Sequence, residues 1–150
     1  MITIGQALWL KLGYADGGCA NYNRPFLIID IIDGYIYALN VSSLPGKTEK
    51  ILYDSNIAIN RFKPLFKVKS IVKVDAIYII PIVNGLEKCL MAKGQMLHDA
   101  DLEYIKNYYL DYRENKNVSI QEITIEHLVE NNPDKIILDT NEIDNNAILV

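Results

Sequence analysis

Two apolar runs on either side of Asp33 and Gly34 constrain this chain more than any other feature. FLIIDII (26–32) and YIYALNV (35–41) are rich in β-branched and aromatic residues, and Asp-Gly between such runs favours a tight hairpin turn. Phe26, Leu27, Ile28 and Ile29 do not alternate with polar residues, which predicts a strand covered on both faces. Pro25 fixes the backbone where the chain enters that strand, so Arg24 is aimed by a rigid neighbour. Either its guanidinium snorkels to solvent or pairs with a carboxylate, or it is held ready for an anion such as phosphate.

The rest of the first two-thirds reads as further short strands. QALWLKL (6–12) alternates and predicts the first strand, separated from the second by the Gly- and Asn-rich loop GYADGGCANYN. SSLPGKTEK forms another loop, KILYD a short strand and SIVKVDAIYIIPI one long strand, after which Asn84-Gly85 turns the chain into LEKCLMA. Beyond Gly94 the apolar period changes to 3.6: Leu102, Ile105, Tyr108, Tyr109 and Tyr112 share one face of a helix expected from about 100 to 114, capped by Asp99. The polar RENKNVS marks a boundary. Residues 119–150 interleave acids with Ile, Leu and Val, enough for one short helix and one short strand but not for a core of their own. The expected organisation is a mainly β domain over 1–118 with one C-terminal helix, a small barrel or strongly bent sheet, and an acidic extension over 119–150 packed on it or on a dimer mate.

Charge is unevenly spread. The chain of 150 residues has a formal net charge of −4, yet residues 119–150 carry seven acids against the single base Lys135, so the body is positive. Within it, residues 47–73 hold Lys47, Lys50, Arg61, Lys63, Lys67, Lys69 and Lys73 against Glu49 and Asp54. Such an excess suits a polyanion, or else forms a solvated strand face. Cys19 and Cys89 are too few and too far apart for a disulfide framework or a zinc site, and His98 and His127 are isolated, so no metal or cofactor is implied. No run nears the roughly 18 apolar residues of a membrane helix, and MITIGQALWL lacks the basic region of a secretory signal, so the expected compartment is the cytoplasm.

A hairpin through Asp33-Gly34 brings Arg24 and the Ser42-Ser43 pair to the same edge of the sheet. A forked cation and a hydroxyl facing one site suit a phosphodiester, and RNA carries its own nucleophile in the 2′-OH. Over residues 1 to about 114 the chain resembles the MazF/PemK family of toxin ribonucleases: in IGQALWLKL as first strand, in the Gly-rich loop ending NRPFLIID, in the third strand closing with NVSS, and in KGQMLHDADLEYIKNYY as closing strand and helix. The resemblance implies an SH3-like barrel, a homodimer, a partner antitoxin, and metal-independent cleavage of single-stranded RNA that leaves a 2′,3′-cyclic phosphate. It places Arg24 as acid and transition-state stabiliser and Ser42 as phosphate-positioning residue. Candidate RNA contacts are Tyr14, Asp16, Asn21, Asn23, Ser43, Lys47, Lys67, Lys69 and Lys73. The rival reading is a non-catalytic SH3-like module that binds RNA or protein through the same edge.

Overall fold

The computed structural model describes residues 1–13, 22–44, 53–59, 61–62 and 65–137. Asp33 and Gly34 both take positive φ, 52° and 82°, the backbone of a two-residue turn matched to strand twist, and they join β2 (Arg24–Ile32) to β3 (Tyr35–Ser43). β1 (Ala7–Leu10) runs antiparallel along the other side of β2, with Leu10 opposite Arg24. Ile28 pairs with Ala38 but Asp30 with Tyr37, so β2 carries a bulge there, which bends the strand.

β3 has two partners along one edge. Its first half pairs with β6 (Ala76–Pro81), and its last three residues pair with β5 (Ser70–Lys73), which in turn carries β4 (Asn56–Ala58). SIVKVDAIYIIPI is therefore two strands and not one, parted at Val74 and Asp75. The apolar pattern runs on through the break because Val74 and Ala76 are both buried; only the exposed Asp75 marks it. Of KILYD, the described Tyr53 and Asp54 lie in a bend and turn, and the strand comes later, at Asn56–Ala58.

β7 (Ser119–Glu122) joins β6 in parallel, an arrangement that needs a long crossover, and α1 (Asp99–Asn115) lies within that connection. His98, not Asp99, occupies the N-cap of α1; Asp99 sits one position inside, where its charge faces the positive end of the helix dipole. Between β6 and α1, LEKCLMA forms two short 3₁₀ turns, Leu86–Cys89 and Met91–Gly94. A second helix, α2 (Ile125–Asn131), corrects the expectation of one; Thr124 caps it by accepting a hydrogen bond from the His127 backbone N–H at 3.1 Å. Among the described residues the result is a seven-stranded, mainly antiparallel sheet that does not close, with two helices. No described helix is long and apolar enough to cross a membrane.

The four unalternating residues of β2 serve two cores. Leu27 and Ile29 point to one face, with Leu39, Val41, Val72 and Ile77, and α1 covers them with Leu102, Ile105 and Tyr109. Phe26 and Ile28 point to the other, with Leu8, Leu10, Ile36, Ala38 and Ile80. That second face is covered piecemeal: by Leu86 and Cys89 of the 3₁₀ turns, by Leu128 of α2 and by Ile136. Leu128 and Ile136 are 0% and 1% exposed, each burial worth about 1.5–3 kcal/mol. Residues 119–137 thus extend one sheet edge and fill one core. Asn132 ties them to the end of β1, its side chain accepting from the Lys11 N–H at 2.9 Å and donating to the Lys11 carbonyl at 3.0 Å. His127 accepts from the Gly13 N–H at 3.1 Å, a bond that holds the chain beyond β1.

Candidate functional site

Arg24 opens β2 and Ser42 lies one residue from the end of β3, so the hairpin sets them at the end away from its turn. Continuing the Phe26–Asn40 register by two residues places them level with each other. There the sheet opens into a groove of about 680 Å³ whose lining includes Asn23, Arg24, Ser42, Ser43, Lys67 and Lys73. Two expected contacts, Lys67 and Lys73, come from the chain entering and leaving β5, the strand that pairs with the last residues of β3. Lys69 does not line the groove; its carbonyl accepts the Leu44 N–H at 2.9 Å and its side chain is exposed. Tyr14, Asp16, Asn21 and Lys47 lie outside the described residues. Arg61, counted with the basic run, pairs with Asp101 of α1 at 3.3 Å.

The half-buried Arg24 guanidinium sits 5.4 Å from the centre of the Phe26 ring, and its Nη2 donates to the carbonyls of Leu12 and Gly13 at 3.4 and 3.5 Å. Bonds of that length are weak, so the group is steered along the strand without being consumed by its tethers. The Ser42 hydroxyl is screened from water and makes no hydrogen bond among the described residues. A screened hydroxyl of this kind calls for an explanation, and a ligand oxygen in the groove supplies a partner. Buried Asn40 lies beside it and donates to the Pro25 carbonyl at 3.5 Å.

The structure adds groove residues that sequence reasoning missed. Trp9 and Tyr22, 41% and 59% exposed, offer aromatic faces at the groove. Trp9 was detectable in principle, since alternation in ALWL sets it against the buried Leu8 and Leu10. Lys135 reaches the same groove from the C-terminal segment, and no local pattern signals that. Cys89 also lines it; burial pushes its thiol up and Glu87 adds to the rise, against an opposing pull from Lys135, so at neutral pH it is a protonated thiol and not a nucleophile. Among the described residues, every side chain of the lining that is charged at neutral pH is a cation: Arg24, Lys67, Lys73 and Lys135. No cluster of three His, Cys, Asp or Glu with metal-binding geometry occurs among the described residues. In comparisons with known proteins, no family model and no curated protein matches the chain.

Proposed function

We propose that this chain cuts single-stranded RNA at the groove, in the manner of the toxin ribonucleases it resembles, with the bent sheet as a variant of their SH3-like barrel. One observation carries the reading: Arg24 and Ser42 converge from neighbouring strands on a groove whose charged lining, among the described residues, is wholly cationic. In the reaction the RNA 2′-oxygen bonds to the adjacent phosphorus as its proton leaves to solvent. The P–O5′ bond then breaks, giving a 2′,3′-cyclic phosphate and a 5′-hydroxyl that has taken up a proton. Negative charge grows on the non-bridging oxygens, where the forked donors of Arg24 and the hydroxyl of Ser42 stabilise it. Lys67 and Lys73 follow the phosphates, and Trp9 and Tyr22 stack unpaired bases. Because RNA brings the nucleophile, this chemistry requires neither a protein nucleophile nor a metal.

The test is incubation of the purified chain with a long RNA in the presence of a chelator, followed by analysis of the new ends. Cleavage leaving cyclic phosphates is the expected result. Retention of RNA without cleavage would make the groove that of a binding module, and neither binding nor cleavage would remove RNA from the reading.

A further inference from the structure

The C-terminal segment is acidic, yet its placement is selective. Residues 119–150 contain one base, Lys135, and that base lines the groove; the described acids of the segment, Glu122, Glu126, Glu130 and Asp134, do not. We infer that Lys135 is a phosphate-binding residue of the RNA site, so that the segment beyond the family-like body completes the groove. This inference rests on the proposed function and assigns one more contact to it.

Three attachments hold Lys135 in position. Its neighbour Ile136 is buried in the second core. Its own N–H and that of Ile136 donate to the Asn132 carbonyl at 3.3 and 3.0 Å, and the Asn132 side chain is clamped to Lys11 at the end of β1. On the other side the backbone lies against Gly85: a Cβ at that glycine would stand 2.5 Å from the Lys135 carbonyl oxygen. The backbone is thus fixed while the side chain stays exposed, with no ion pair among the described residues to neutralise it. A fixed backbone carrying an unneutralised ammonium at the edge of a cationic groove binds phosphate with little added ordering cost.

Binding to a fluorescent 2′-O-methyl oligoribonucleotide, which lacks the nucleophile and so reports affinity alone, tests the assignment across a salt series with the full chain. Each phosphate contact to a single strand contributes about 0.7 to the slope of log affinity against log salt. Lys135→Gln is expected to lower the slope by about that amount, weakening binding roughly eight-fold near 0.05 M salt and about three-fold near 0.2 M. Lys135→Arg should keep the parent slope, as should Lys106→Gln, whose lysine lines a separate cavity under α1. An unchanged slope in Lys135→Gln, beside a reduced one in Lys67→Gln, overturns this assignment and leaves the groove intact. Equal loss in Lys135→Gln and Lys135→Arg also overturns it, because packing and not charge is then at stake. A parent chain that does not bind the probe overturns the assignment together with the proposed function.

Discussion

The two faces of the sheet are covered in different ways. α1 closes one face with a single regular stripe, Leu102, Ile105 and Tyr109, four turns of helix whose backbone hydrogen bonds are satisfied internally. The other face is closed by short pieces, two 3₁₀ turns, the seven residues of α2 and the lone anchor Ile136, each brought from a different part of the chain. A regular cover leaves little at its margin beyond solvated charge. A patchwork cover ends in backbone corners and polar side chains, and the groove with Arg24, Ser42 and Lys135 lies at that margin.

Truncating one buried anchor on each face probes this difference most strongly. Ile105→Ala and Leu128→Ala should each destabilise the chain by about 2–5 kcal/mol in denaturant titrations. Their effects on RNA should diverge: Leu128→Ala loosens the segment that holds Lys135 and weakens binding under conditions where the protein is still folded, whereas Ile105→Ala leaves binding unchanged. Equal effects on binding would mean that the patchwork face has no special link to the groove.

Arg24→Ala should leave the thermal midpoint nearly unchanged, because the side chain packs only at the groove edge, while cleavage falls about 100- to 1000-fold, or about 2.7–4 kcal/mol in the barrier. Ser42→Ala should cost less, since a neutral donor is removed and the cation remains. Undiminished cleavage by Arg24→Ala would exclude the arginine from the chemistry.

Two glycines separate local from tertiary strain. Gly34 (φ 82°) in the hairpin turn has nothing within 4 Å of an added Cβ, so Gly34→Ala meets only the positive-φ penalty, about 1–2 kcal/mol. Gly85 has a similar φ of 92° but presses on the Lys135 carbonyl, so Gly85→Ala should cost more than Gly34→Ala and also weaken RNA binding. Matching melting shifts for the two would show that the contact between Gly85 and the C-terminal segment relaxes easily.

The smallest expected effect belongs to the α1 face. Burial pushes the Tyr109 hydroxyl above the usual tyrosine range, Tyr37 adds to the rise, and the charge and hydrogen bond of Arg113 oppose it. The folded state therefore holds this proton more tightly than the unfolded chain does. Its stabilising contribution is complete below about pH 10 and is lost as pH rises through the folded-state value. Denaturant midpoints from about pH 9 to 11 should fall less steeply for Tyr109→Phe than for the parent; identical slopes would place the hydroxyl in effective contact with water.

The features readable from sequence are those set by neighbours along the chain. Asp33-Gly34 makes its turn because both residues tolerate positive φ, residues 26–29 lie between two cores because none is polar, and α1 forms where the apolar period becomes 3.6. The level placement of Arg24 and Ser42 follows from that same turn by counting residues along two paired strands. Tertiary structure alone decided the break between β5 and β6, since a buried run shows no mark where a strand changes partners. It also decided that β7 lies parallel to β6, and that α2 and Ile136 enter the second core. Lys135 is the clearest case: 111 positions separate it from Arg24, and no propensity, period or local charge pattern acts over that distance. What brings the two to one groove is the burial of Ile136 and Leu128 against a face that no regular element covers.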